Sequence, residues 1–290
     1  MSGQMSNALA TARSWLFVPA DRVVDRFDKA AASGADAIVV DLEDSVRADR
    51  KAAARAIAVE FLAARASGIP VVLRINGIRT AWWRDDAVAA AHLGLPVMLP
   101  KAASQDDASR VALILSADDA RQGQPRVVAL IESAAGVLAA QAIAQSEHVL
   151  ALAFGPEDLA LDLGNVASEM NPTVEHARLH VLLAAVAEGI PAIDGPSLVI
   201  DDVEVAGSAA RLAHATGYSG KLAIHPNQVA VINTAFSPSD EEVAWARAIV
   251  AAATTMEQTG DGATQVDGTM VDEVVVARAR RVLAVAAASA

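Results

Sequence analysis

The sequence predicts an α/β protein, a (β/α)8 TIM barrel with a C-terminal helical extension. Three observations predict it. Eight short apolar runs recur along the chain, each followed by a helix-prone stretch, as this barrel requires. Charged residues collect at the carboxyl ends of those runs, where a barrel builds its reactive face. No Gly-x-Gly-x-x-Gly turn follows the first run, which argues against a doubly wound open sheet. Residues 1–12 read as a disordered, polar N-terminus, 13–236 as the barrel, and 237–290 as an extension that serves a subunit interface.

The runs follow in order. Ser14 to Ala20 is the first strand, with Asp21 and Arg22 at its end and a helix from Val24 to Ala32 stopped by Gly34. Ala37 to Asp44 is a second, buried strand that ends in the carboxylates Asp41, Glu43 and Asp44. An Ala- and Arg-rich helix spans Asp49 to Ala66. Val71 to Gly77 is the third strand, with Arg74 inside it, and Val97 to Lys101 the fourth. After a helix from Asp106 to Ser116 come the fifth strand, Val127 to Glu132, the helix Ala134 to Gln145, and the sixth strand, Val149 to Gly155. A helix from Val174 to Glu188 precedes a weak seventh strand, Ala192 to Ser197, which ends with Asp194 near its close. The helix Asp201 to Ala215 leads to the eighth strand, Lys221 to His225. Beyond it, Ser237 as N-cap and Pro238 open a helix to about Met256; Gly260 to Gly268 reads as a loop, and a last amphipathic helix follows Asp272.

The stretch from Val127 to Asp158 carries the strongest chemical signal. Strand, helix, strand is one βαβ step, so its strands are parallel and Glu132 and Asp158 emerge at one rim. Two hard anionic oxygens suit Mg²⁺. The competing reading is that each carboxylate caps the helix after its strand; the pair, with Gly155 and Pro156 shaping the second turn, favours the metal. The rest of the rim comprises Arg22, Glu43, Asp44, Arg74, Asn76, Lys101, Asp194 and His225. A buried Arg74 needs either a substrate carboxylate or an ion pair with Glu43 or Asp44. Lys101 reads as a salt-bridge partner, with a Schiff-base role as the alternative. His225 is a general base or a turn residue, and Trp82 and Trp83 form a pocket wall, an interface anchor or ordinary packing.

Composition excludes several classes. The chain is 53% apolar but only 3% aromatic, so its core is built from Ala, Val, Leu and Ile. A formal net charge of −12 disfavours nucleic acid and anionic membrane surfaces as partners. The absence of cysteine excludes disulfides and thiolate zinc sites. With no leader pattern and no run of transmembrane length, a cytoplasmic protein is expected.

Taken together, the motifs R-S-W-L-F-V-P-A-D-R, G-A-D-A-I-V-V-D-L-E-D-S-V, L-R-I-N, V-M-L-P-K, L-I-E-S, A-F-G-P-E-D-L-A-L-D-L-G, G-K-L-A-I-H-P-N-Q and D-G-T-M-V-D resemble the citrate lyase beta-subunit-like family, with its malyl-CoA, citramalyl-CoA and citryl-CoA lyases, over residues 13 to about 285. The resemblance implies a Mg²⁺-dependent carbon–carbon lyase that joins or separates a 2-oxo acid and an acyl-CoA, working as a homotrimer or hexamer. It implies Glu132 and Asp158 as metal ligands, Arg74 as the grip on the oxo-acid carboxylate, and Glu43 and Asp44 as an acidic loop beside the metal waters. Arg22 then contacts CoA or substrate, and Asp272 serves as an acid/base contributed by a neighbouring subunit. A CoA thioester hydrolase, a Lys101 Schiff-base aldolase and a partner-dependent lyase subunit are the alternatives. Two positions depart from the family pattern: Ala135 stands where arginine is common, which bears on acyl-CoA handling, and Ala20 replaces a glycine.

Overall fold

The structure, a computed structural model, describes residues 8–65, 68–116, 127–164, 171–259, 264–266 and 269–288. The chain divides after Asn233 into two compact units, three residues before the expected end of the barrel.

In the first unit the strands β1 (Ser14–Pro19), β2 (Ala37–Asp41), β3 (Val71–Arg74), β4 (Val97–Leu99), β5 (Val127–Ile131), β6 (Val149–Phe154), β7 (Ala192–Asp194) and β8 (Gly220–Ala223) form a closed barrel in sequence order. Every neighbouring pair is parallel, and β1 closes on β8 with Trp15 opposite Leu222. Closure is tight at Gly220. A Cβ there would lie 2.5 Å from the carbonyl oxygen of Ala12 and 2.8 Å from that of Arg13.

Strand side chains alternate faces. Trp15, Ala37, Val39, Val72, Met98, Val128, Leu130, Ala151, Ala153, Ile193 and Leu222 pack together as one buried cluster, with Phe17 against it. That set is the inward parity of the strands. Continuing it toward the carboxyl ends gives Asp41 after Val39, Arg74 after Val72, and Glu132 after Leu130. The two-residue period thus carries an apolar interior up into a charged top layer.

The strands are shorter than the sequence suggests, because the chain turns as soon as the charged residues arrive. Of the N-terminal tract expected to be disordered, residues 1–7 lie outside the described residues; Leu9 and Ala12 are placed and buried, and Trp15 Nε1 donates to the Ala12 carbonyl at 3.1 Å. Trp83 opens the helix Trp83–Leu93 and is buried, and neither it nor Trp82 lines the cavity described below. Among the described residues no helix is long and apolar enough to cross a membrane.

The second unit holds the helix Asp240–Thr259, a two-stranded antiparallel ribbon (Thr264–Val266 with Thr269–Val271) and the helix Glu273–Ala288. Its own small core contains Ala246, Ile249, Val271, Val276 and Ala279. The ribbon corrects the expected loop from Gly260 to Gly268, of which residues 260–263 and 267–268 lie outside the described residues. The first helix is capped by Ser239 instead of Ser237. Its hydroxyl accepts the Glu242 N–H (3.1 Å) while Glu242 Oε2 accepts the Ser239 N–H (2.9 Å), a reciprocal capping box.

Candidate active site

The barrel's top face opens into a cavity of about 790 Å³, lined among others by Phe17, Arg22, Asp41, Asp44, Arg74, Glu132, Gly155, Asp158 and His225. Its floor is an ion pair. Asp41 and Arg74 are register neighbours on β2 and β3. Arg74 Nε donates to Asp41 Oδ1 at 2.6 Å and Nη2 to Oδ2 at 2.7 Å. Asp41 also accepts the main-chain N–H groups of Glu43 (2.8 Å) and Ser45 (3.1 Å), so one carboxylate pins the acidic loop to the strand. Burial works against its charge, but the attraction of Arg74 and these hydrogen bonds outweigh it and hold the Asp41 pKa below the ordinary value. The Arg74 guanidinium also stacks over Phe17, 4.6 Å from the ring centre, and Nη1 lies 3.2 Å from Glu43 Oε2 and 3.7 Å from Asp44 Oδ2.

The sequence left Arg74 open between a substrate and an ion pair with Glu43 or Asp44. The structure supplies the ion pair, and its principal partner is Asp41, which occupies the Nε–Nη2 edge. The Nη1 end faces the two residues named from sequence.

Glu132 comes off β5 and is buried (3% exposed). Its Oε1 accepts the Lys101 main-chain N–H at 2.9 Å. Burial, then the negative charges of Glu43 and Asp158, raise its pKa well above the ordinary carboxylate value. It does not cap the following helix, Ala134–Ala144. Ser133 does, accepting the Gly136 N–H. Asp158 lies in the first turn of the helix Pro156–Asp162, whose N-cap Gly155 offers no side chain. The residue is partly exposed, and Lys101 Nζ stands 3.7 Å from its Oδ1. The capping alternative therefore fails for Glu132. For Asp158 only a favourable place near the helix N-terminus survives.

Gly155 supplies the cradle. A Cβ there would fall 2.5 Å from Glu132 Oε2 and 2.6 Å from Glu132 Cβ, so the carboxylate packs where a side chain would otherwise be. Glu43 is the other end of the site. Lys101 Nζ donates to its Oε1 at 2.9 Å, while its buried Oε2, 3.2 Å from Arg74 Nη1, accepts no well-formed hydrogen bond among the described residues. Burial raises the Glu43 pKa despite Arg74 and Lys101. Lys51 Nζ holds the loop from below, donating to the carbonyls of Leu42 (2.8 Å) and Glu43 (2.6 Å).

Other rim residues sort themselves out. Asn76 is tied to Asp86 (2.7 Å) and to the Leu42 carbonyl. Asp194 is not in the site; it is buried between Arg178 (2.7 Å) and Lys221 (2.6 Å). His225 lines the cavity and its Nδ1 accepts the Asn227 N–H, a turn contact. Arg22 lies at the cavity edge, paired with Asp25 at 3.4 Å. Arg26 and Lys29, unnamed from sequence, line the same side; their signal was the helical spacing 22, 26, 29. Asp272, in the second unit, caps the helix Glu273–Ala288 by accepting the Val275 N–H at 3.0 Å.

Residues 13–226 match the HpcH/HpaI aldolase/citrate lyase family. The chain belongs to that family. It is 37% identical over 279 residues to a citrate lyase subunit beta-like protein of Deinococcus radiodurans, covering 94% of this chain and 97% of that one. It is 34% identical to an L-malyl-CoA/beta-methylmalyl-CoA lyase of Cereibacter sphaeroides, over 94% and 96% of the two chains. Crystalline CitE of Mycobacterium tuberculosis, in complex with magnesium, acetoacetate and coenzyme A, superposes with a TM-score of 0.82 at 36% identity and covers 96% of this chain and 99% of its own. Membership in the HpcH/HpaI aldolase/citrate lyase family makes the chain a carbon–carbon lyase by class. Against the family pattern, Ala20 is fully buried after β1, and Ala135 is exposed in the first turn of the helix after Glu132.

The donor set fits a small, hard divalent cation. It offers carboxylate oxygens, a buried Glu43 oxygen that accepts no hydrogen bond among the described residues although Arg74 Nη1 lies 3.2 Å away, and a glycine cradle for Glu132. Among the described residues no three Asp, Glu, His or Cys side chains converge to cage an ion alone. Mg²⁺ keeps several waters and takes one or two carboxylates, a number that Glu132 and Asp158 can supply.

Proposed function

We propose that this lyase cleaves, or forms, a 3-hydroxy diacyl-CoA thioester of the malyl, citramalyl or citryl type, giving a 2-oxo acid and an acyl-CoA. The observation that carries the reading is the pairing, in one cavity, of the Glu132–Asp158 carboxylates with the rigidly held cation Arg74. The magnesium, acetoacetate and coenzyme A bound by the superposable CitE support it.

Glu132 and Asp158 would hold Mg²⁺, which when bound supplies Lewis acidity at a carbonyl oxygen. Arg74 grips the carboxylate of the oxo-acid half through its Nη1 end, while Asp41 fixes the other edge so that no reorganisation is needed. In the cleavage direction the hydroxyl proton passes to the Glu43–Asp44 loop, the C–C bond breaks, and the electron pair stays on the thioester half as an enolate. Asp272, from a neighbouring copy in a homotrimer or hexamer, delivers a proton to the enolate carbon. Arg22, Arg26 and Lys29 face the phosphates of CoA.

The Schiff-base alternative is disfavoured. An imine-forming lysine needs a depressed pKa, whereas hydrogen bonding and attraction to Glu43 outweigh burial and hold Lys101 above its ordinary value. The test is an assay of malyl-, citramalyl- and citryl-CoA with and without Mg²⁺, following free oxo acid and acyl-CoA. Mg²⁺-dependent release of both products from one thioester is expected. Release of free CoA with an intact hydroxy diacid would make the protein a thioesterase and overturn the reading.

A further inference from the structure

Lys101 is the one non-glycine residue with positive φ among the described residues, at +53°. The left-handed region costs a residue bearing a Cβ about 1–2 kcal/mol, a cost that glycine avoids. Something about the side chain therefore matters at this turn. Its contacts show what. The main-chain N–H donates to Glu132 Oε1 at 2.9 Å, Nζ donates to Glu43 Oε1 at 2.9 Å, and Nζ approaches Asp158 Oδ1 to 3.7 Å. One residue thus touches both carboxylates assigned to the metal and the acidic loop opposite them. The side chain is 46% exposed, against 8% for Glu43, so it can swing while its partners stay in place.

We propose that Lys101 is a resident counter-ion of the carboxylate site, whose ammonium competes with a divalent cation for Asp158 and so sets how tightly that cation binds. This rests on the metal assignment above. In the absence of a divalent ion the ammonium relieves the repulsion between Asp158 and Glu43. When a cation arrives, Nζ gives up its distant contact with Asp158 and keeps the close one with Glu43. The main-chain bond to Glu132 is unaffected, so the turn holds its carboxylate in either state. A unit positive charge that stayed within about 6 Å of a divalent ion would cost about tenfold in affinity even at the dielectric of bulk water.

The test uses the full-length protein and Mn²⁺ as the probe, with binding read by electron paramagnetic resonance or calorimetry. Lys101→Gln and Lys101→Gly should each bind Mn²⁺ about tenfold or more tighter than the wild type. Lys101→Arg keeps the charge and should stay within about threefold. The glycine variant also relieves the backbone, so it folds and carries the test if the glutamine variant does not. Unchanged or weaker binding by the neutral variants, with normal binding by the wild type, would overturn the counter-ion role and leave the metal assignment standing. A wild type that binds no Mn²⁺ would overturn both.

Discussion

Gly155→Ala separates geometry from chemistry at the site. Gly155 sits at φ −113° and ψ 92°, a conformation any residue adopts, so alanine brings no backbone strain. Everything that follows is steric. The new methyl would meet Glu132 Cβ at 2.6 Å, Oε2 at 2.5 Å and Cδ at 3.3 Å. Relaxed carbon contacts lie near 3.5–4.0 Å, so the two side chains must part by roughly 1 Å. Glu132 has little room to retreat, being buried and tied through Oε1 to the Lys101 N–H. Overpacking of this kind costs about 1–3 kcal/mol, which calorimetry would read as a melting temperature lower by several degrees. A displacement near 1 Å in a reacting group can cost on the order of 10²-fold in rate. The variant should therefore lose about that much Mg²⁺-dependent turnover and bind Mn²⁺ measurably more weakly. Gly68→Ala is the control, since nothing lies within 4 Å of its added Cβ. If Gly155→Ala binds Mn²⁺ and turns over like the control, the proposed role of Glu132 is wrong.

Further outcomes follow from the same contacts. Glu132→Ala and Asp158→Ala should each abolish both Mn²⁺ binding and Mg²⁺-dependent cleavage; turnover retained in both would sink the metal assignment. Asp41→Asn breaks a buried ion pair and leaves Arg74 only the looser contacts of its Nη1 end with Glu43 and Asp44, at a cost of about 3 kcal/mol by denaturant titration. Because the folded-state pKa of Asp41 is lowered from 3.8, its contribution is fully present above that value and is lost as pH falls through the folded value. The stability gap between wild type and Asp41→Asn should thus be widest near neutrality and close below pH 3.8; a gap independent of pH would refute the pairing. Asp194→Ala removes the buried carboxylate shared by Arg178 and Lys221, leaving them Glu175 and the Gly195 carbonyl, and should destabilise by about 3 kcal/mol, yet leave Mn²⁺ affinity unchanged, since Asp194 lies outside the site.

Most of the barrel was legible because its evidence is local. Alternation and apolar runs mark strands, and the turn after each run is where charge appears. That Glu132 and Asp158 reach one rim could be read for the same reason. Arg74 shows where that reading ends. Its need for a partner was plain, but Asp41, Glu43 and Asp44 follow one another within four positions, and choosing among them takes strand register. Asp41 pairs directly with Arg74 across β2 and β3 and shares the inward parity of Val39; Glu43 and Asp44 lie past the strand, in the turn. Lys51 was hidden for a different reason. It acts through main-chain carbonyls, which carry no trace in the identity of Leu42 or Glu43. The ribbon of the second unit had a signal that glycine content obscured. The segments T-Q-V and T-M-V flank Asp267-Gly268, a dipeptide that favours a two-residue hairpin.

Charge balance ties these observations to the proposed chemistry. A buried carboxylate needs a cation or a proton. Asp41 has Arg74, whose whole Nε–Nη2 edge it takes, and Glu43 has Lys101. Among the described residues Glu132 has no ion-paired cation and a main-chain N–H is its one hydrogen bond, and burial with the charges of Glu43 and Asp158 raises its pKa. Asp158 has only the far side of Lys101, at 3.7 Å. Glu132, buried, and Asp158, partly exposed, meet at one rim with no close side-chain cation among the described residues, and the buried one is costly in a protein that merely has to fold. They make sense where a divalent ion completes the set. The neighbouring ion pairs then have a role as well. Asp41 takes one edge of Arg74 and leaves its Nη1 end toward Glu43 and Asp44, and Glu43 takes Lys101, so on the proposed reading Glu132 and Asp158 are the carboxylates left for a divalent ion.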